Sequence, residues 1–202
     1  MPSQFYLDFE RNIQNFKNTI IDTDTELKKE FKLETGGYFT KNYNVIMGGF
    51  LVTLCAIFES YHRSVLENYL DKINSFFSDK KLPKQLIIYD SKQKFPSESD
   101  DLNSIYTIKK DIIFGISTDL QKLEKIYTLF AVKLIPNKNK EGLKNIFNEI
   151  QRKRNDYAHS FVVIESSLSD IKKLTNEISD FVKSTDKKLI DSSLIPKITN
   201  YK

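Results

Sequence analysis

Between Ile46 and Ile73, apolar side chains return every three or four positions, through Phe50, Leu54, Ile57, Tyr61, Val65 and Tyr69. A period near 3.6 sustained over that span is the mark of an amphipathic α-helix. Residues 41–77 are therefore predicted to form one long helix. Gly48-Gly49 near its start predicts either close approach of another helix or a delayed onset. Thr53 and Glu59 break the apolar run, which reads as too short to cross a membrane. Phe5, Phe9, Ile13, Phe16, Ile20 and Leu27 repeat the same period, with a lapse near 22–24. They predict a first helix over 4–34, stopped by Thr35-Gly36-Gly37, because glycine tolerates the left-handed turn of a helix end.

Downstream, the polar and broken stretch 78–101 predicts a long loop, with Leu86–Tyr89 extended inside it. A short helix is expected over 103–114. Ser117-Thr118-Asp119 supplies N-caps for a helix reaching about Leu134, and Pro136–Asn139 a turn. Residues 140–158 form the next helix, with Leu143, Ile146, Phe147, Ile150, Tyr157 and Ala158 facing the core. Phe161–Ile164 reads as extended. Ser167 and Asp170 resemble a capping box opening a last helix to about Leu189. Only 6 glycines and 5 prolines occur in 202 residues, too few for the turns of a β-sandwich or barrel. The expectation is all-α: five to six helices in one domain over 1–202, with the core over roughly 40–190 and helix 4–34 packed on it.

The chemistry-bearing residues are few. The single Cys55 lies in the apolar run Phe50–Phe58 and reads as a small core residue, since one cysteine builds neither a disulfide framework nor a thiolate metal site. No disulfide and no secretory apolar region after Met1 fit a cytoplasmic protein. There is no phosphate-binding glycine loop, no Gly-x-Gly-x-x-Gly and no His-Glu-x-x-His, so neither a cofactor nor a metal is expected. The formal charge of +4 permits a polyanion without demanding one. It is concentrated over residues 121–160, which carry nine Lys/Arg against four acids. Of the two histidines, His62 is expected to be an ordinary surface residue off the core stripe. His159 instead closes a helix behind the basic string Gln151-Arg152-Lys153-Arg154-Asn155-Asp156-Tyr157-Ala158. Histidine exchanges protons near neutrality. Arginine binds phosphate oxygens through a planar fork and stabilises charge as it develops. Cleavage of a phosphodiester by its own 2′-hydroxyl needs both functions and no metal.

Arg154-Asn155-Asp156-Tyr157-Ala158-His159 resembles the signature of HEPN ribonucleases, and of their RiboL-PSP branch in particular: Arg, four to six residues, His, with a polar residue after the Arg and Ala before the His. Phe58-Glu59 on the long helix resembles the aromatic-acid pair these domains carry near the motif arginine. The resemblance spans roughly residues 40–190. It implies a HEPN-type helical bundle that dimerises, so that two Arg–His motifs share one cleft. It implies metal-independent RNA cleavage, in toxin–antitoxin, phage-abortive or CRISPR-linked defence, with an antitoxin or defence protein as partner and no membrane. Carried onto this chain, His159 is general acid or base, Arg154 stabilises the phosphate, Asn155 orients phosphate or histidine, and Glu59 holds Arg154. Arg152, Lys153, Asp156 and Tyr157 would contact substrate.

Helix geometry complicates the assignment. Residues 154 and 159 are about 140° apart on an ideal helix, whereas 152, 155, 156 and 159 share a face. Arg152 also satisfies the loose spacing; Arg154 is preferred because Asn155 follows it. Each residue also has a plainer reading: the dipole favours a histidine at a helix C-terminus, Asp156 pairs with a neighbouring cation, and Tyr157 is core. A non-catalytic HEPN module that binds RNA or assembles proteins is the alternative, and a helical interaction protein with a chance motif is a third.

Overall fold

The computed structural model describes residues 2–33, 36–79, 116–130, 132–135, 140–160 and 166–192. Among these the regular structure is helical throughout: α1 (Gln4–Glu30), α2 (Tyr38–Lys41), α3 (Tyr43–Asp79), α4 (Leu120–Thr128), α5 (Lys140–Ser160) and α6 (Leu168–Asp191). The predicted loop beyond Asp79, the extended pieces 86–89 and 161–164, the helix 103–114 and the turn 136–139 lie outside the described residues. The chain divides into a unit of residues 1–63 with 115–202, and a second unit of residues 64–114. Of the second unit the described part is the continuation of α3, Ser64–Asp79, along which Val65, Leu66 and Leu70 are buried.

In the first unit α3 is the central element. Met47, Leu51, Leu54, Cys55, Phe58, Tyr61 and His62 are all buried, an arc wider than the expected stripe because helices cover α3 from several sides. Ile46 and Ile57, placed on that stripe, are only half-buried. Phe58 meets Phe147 of α5 and Phe181 of α6 at ring separations of 5.2 and 6.1 Å, and Phe147 meets Phe181 at 5.2 Å. Three large rings in mutual contact from three helices fix their mutual placement. The stretch Tyr43–Phe76 is in fact long and apolar enough to cross a bilayer by length and composition, contrary to the sequence expectation, but in the first unit Met47, Leu51, Leu54 and Phe58 of it are buried in the core.

α1 lies against α6 and α3. Phe9, Ile13, Phe16, Ile20 and Leu27 are buried as the period predicts, and the lapse in the pattern is filled by Thr23, whose hydroxyl donates to the Thr19 carbonyl at 2.9 Å. Ser3 joins Asp186 at one end and Asp24 pairs with Lys172 at 2.9 Å at the other, so the two helices run antiparallel. Phe16 stacks edge-on against Phe50 at 5.6 Å.

Two helix ends fall short of expectation. α1 stops at Glu30 rather than at the expected residue 34, and the Glu30 carboxylate accepts hydrogen bonds from Phe39 N–H (3.1 Å), Thr40 N–H (2.8 Å) and the Thr40 hydroxyl (3.0 Å). It thereby caps the short, unpredicted α2. Gly36 takes φ +63° in the intervening turn, and a Cβ on Gly37 would collide with the Glu30 carboxylate. Helix α4 opens as predicted, with Asp119 accepting from Gln121 and Lys122 N–H at 2.9 and 3.1 Å. It ends at Thr128, short of Leu134. Val132, Leu134 and Ile135 are nevertheless buried, and Lys188 Nζ donates to the freed Leu134 carbonyl, so the chain gains apolar burial without continuing the helix. The capping box of α6 is present in both directions: Ser167 Oγ accepts from Asp170 N–H at 3.1 Å and Asp170 Oδ2 from Ser167 N–H at 2.8 Å. These N–H and hydroxyl bonds from Ser167 hold the Asp170 carboxyl below its usual pKa, with Lys153 and Lys173 adding to the effect.

Candidate functional site

Helix α5 carries the motif and positions it through residues on its inner side. Phe147 and Ile150 are fully buried. One turn before the helix end, Tyr157 lies over Gly48 of α3, where a Cβ would run into the tyrosine ring. The Tyr157 hydroxyl donates to the Val45 carbonyl at 3.2 Å. Of the two roles expected for the glycine pair, close helix approach is the one Gly48 serves. Nothing lies within 4 Å of a Cβ on Gly49. Lys153 is equally engaged: its ammonium pairs with Glu149 at 2.8 Å and donates to Ser166 Oγ at 3.0 Å. Tyr157 and Lys153 therefore tie the last turns of α5 to the starts of α3 and α6.

The six motif residues divide between two sides of α5. Arg154 is half-buried. Its Nε is enclosed with no hydrogen-bond partner among the described residues, and its NH1 donates to Asn155 Oδ1 at 3.2 Å. It faces α3: its charge and that of Glu59 both act on the Cys55 thiol. Burial pushes that thiol up to about 12 and Glu59 adds to the rise, while a Thr118 hydrogen bond and Arg154 oppose it. Glu59 and Arg154 thus share one neighbourhood, but among the described residues no ion pair within 4 Å joins them; the Glu59 carboxylate accepts from Thr118 N–H at 3.1 Å instead. His159 is exposed, as is Arg152, whose guanidinium reaches Asp156 at 3.4 Å across one helical turn. Asn155 is half-buried beside them. Ala158, expected in the core, is exposed, because it follows Tyr157 around the helix onto the solvent side. Within one chain, then, Arg152, Asn155, Asp156 and His159 share the open face, and Arg154 stands behind it.

Matched against known protein families, residues 6–191 fit RiboL-PSP-HEPN. The chain belongs to the RiboL-PSP-HEPN family. The match takes in α1 as well as the motif helix, a wider span than the 40–190 carried by the sequence resemblance. No curated protein matches the chain. No solved structure matches it either.

This HEPN chain departs from expectation at its other histidine. His62 is not on the surface: it is fully buried, with Nδ1 2.9 Å from the Tyr127 hydroxyl and Nε2 without a partner among the described residues. Burial brings its pKa down to about 3, which keeps it neutral. It sits beyond the predicted apolar stripe, but α4 and α6 close over that flank of α3, with Tyr127 and Phe181 rings 5.6 and 6.3 Å away. A second buried polar group was not anticipated: Asp186 accepts from Ser3 N–H at 3.0 Å and from the Tyr61 hydroxyl at 3.1 Å. No sequence signal distinguished Asp186 from the solvated acids around it. Among the described residues no group of three His, Cys, Asp or Glu side chains is placed to hold a metal ion. A cavity of about 590 Å³ lies between the start of α1 and the end of α6, lined by Tyr6, Lys183, Asp186 and Lys187 among others. None of its lining comes from α5.

Proposed function

We propose that this HEPN chain is a metal-independent endoribonuclease acting in a toxin–antitoxin or anti-phage defence system. The observation that carries the reading is the open face of α5, where His159 and Arg152 are exposed with Asn155 half-buried beside them, while Tyr157 and Lys153 fix the helix behind. In this scheme a base takes the proton of an RNA 2′-hydroxyl. The resulting oxygen attacks the adjacent phosphorus, the bond to the 5′-oxygen breaks, and an acid protonates the leaving oxygen. The products are a 2′,3′-cyclic phosphate and a 5′-hydroxyl. His159 serves one proton transfer, and His159 of a second copy serves the other. Arg152 is the cation already in solvent on the His159 side. Arg154 orients Asn155 through the NH1 contact at 3.2 Å and reaches the phosphate from behind the face, or across the two-fold axis of a dimer. The chain acts in the cytoplasm as a homodimer, restrained by a partner protein.

The separation of Arg154 from His159 within one chain favours one second reading, a HEPN module that binds RNA or assembles proteins without cleaving. Incubation of wild type and His159→Ala with mixed RNA in EDTA decides between them. Cleavage by wild type alone, leaving cyclic phosphates, supports the nuclease. Intact RNA with folded wild type supports the non-catalytic module. Equal cleavage by both proteins removes His159 from the reaction.

A further inference from the structure

The face that holds His159 does not end with the motif. Asn145, Asn148, Arg152, Asn155 and His159 follow one another at spacings of three, four, three and four along α5. At 100° per residue all five fall within an arc of about 80°, and they run about 21 Å along the helix. Asn145, Asn148, Arg152 and His159 are exposed and Asn155 is half-buried. Glu141 is the one acid inside the arc, at its far end; Glu149 and Asp156 lie at its edge, each paired with a cation of its own helix.

The composition of this seam argues for its occupant. It has no apolar side chain, whereas the centre of a protein–protein interface is apolar and aromatic. It has three amides, each with two donors and an acceptor. The Asn145 and Asn148 amides have no intrachain hydrogen bond among the described residues. Asn155 has its oxygen engaged by Arg154, which leaves the amide donors for a partner. Asparagine is also a weaker helix former than the Ala, Lys or Gln that a merely solvated face would carry. Amides read nucleobase edges, asparagine pairing with adenine through two hydrogen bonds. In RNA those edges are open in single-stranded segments.

Resting on the ribonuclease reading above, we propose that Asn145 and Asn148 extend the site into a track that reads unpaired, adenine-containing RNA several nucleotides from the scissile phosphate. Arg152 and Asn155 hold the intervening backbone and His159 stands at the reacting end. Because the two outer residues are uncharged, they contribute base preference and leave the salt dependence to the cations.

The test measures binding and cleavage of a single-stranded adenine-containing RNA and of the same RNA with each adenine replaced by uridine. The proteins are wild type, Asn148→Ala and Asn145→Ala/Asn148→Ala. Binding is repeated in a His159→Ala background, so that RNA stays intact, and at several salt concentrations. Both substitutions are on the solvent side and raise helix propensity, so folding is retained, with circular dichroism as the check. The expected result is an adenine preference in wild type that falls about tenfold in the double variant, with an unchanged salt slope and displaced cut positions. Preference and cut positions unchanged by the double substitution overturn the track. RNA bound with preference but never cut ends the nuclease reading, and the loss or survival of that preference in the variants still decides the track. No RNA bound at low salt overturns both. A change in sedimentation with RNA preference intact reassigns the seam to contact between copies and overturns the proposal.

Discussion

The two histidines of this chain both sit on long helices and end in opposite environments. His62 is enclosed by α3, α4 and α6, held neutral by burial, and meets the Tyr127 hydroxyl. His159 stands on the open side of α5, with the arginine and amides of that face around it. The first is a shape-filling ring in a stack of aromatics; the second is open to solvent. A histidine's role here is set by how many neighbouring helices cover its side of the cylinder, a property of the assembled bundle.

Five substitutions probe that contrast. The largest effect is expected at the open histidine: His159→Ala lowers RNA cleavage about 10²–10⁴-fold with little change in melting temperature, measured by gel assay in EDTA alongside calorimetry. If cleavage survives, the open side has no catalytic advantage over the closed one. At the closed histidine the effect is on stability and has a sign. The folded-state pKa of about 3 lies below the ordinary histidine value of 6.5, so the unfolded chain takes up a proton that the folded chain refuses. The contribution of His62 is fully present above pH 6.5 and is lost as pH falls toward 3, by at most about 1.4 kcal/mol per pH unit. Urea titrations of wild type and His62→Gln between pH 7 and 4 check it: the variant loses less stability on acidification, and parallel curves would mean that His62 is not the group refusing the proton.

Smaller effects test the support of each region. Gly48→Ala pushes a methyl into the Tyr157 ring and costs about 1–3 kcal/mol, readable as a lower denaturation midpoint; an unchanged midpoint would show that Tyr157 moves aside freely. Tyr157→Phe removes the bond to the Val45 carbonyl and costs about 1 kcal/mol. The smallest change belongs to the open side. Asp156→Ala breaks an ion pair whose partners are 67% and 46% exposed, and stability should shift by less than about 1 kcal/mol.

How much of this was legible in the sequence follows from how far apart the interacting residues are. The capping box of Ser167 and Asp170 is local and was read directly. The α1 stripe and the central helix followed from period alone, because burying a continuous apolar face is a property of one helix. Glu30 capping Phe39 and Thr40 spans nine and ten positions through a turn, and neither α2 nor the early stop of α1 carries a local signature. His62 was misplaced because the period marked a narrow stripe on α3, while α1, α4, α5 and α6 bury a broad arc. On α5 the periodicity argument separated Arg154 from His159, and the structure places them on different sides. What the sequence could not supply was the inner anchor, since Tyr157 and the Val45 carbonyl are 112 positions apart.

The clasp between Ser3 and Asp186 has a consequence for biosynthesis. Its partners are 183 positions apart, so the seam between α1 and α6 closes only once Asp186 has emerged from the ribosome. Helix α1 can dock early on α3, through Phe16 on Phe50 and Phe9 on Tyr61. The rest of its apolar side waits, at ordinary elongation rates, on the order of ten seconds or more. During that interval the nascent chain displays an uncovered hydrophobic strip, and a chaperone or a cognate protein arriving then meets a surface that the finished fold conceals.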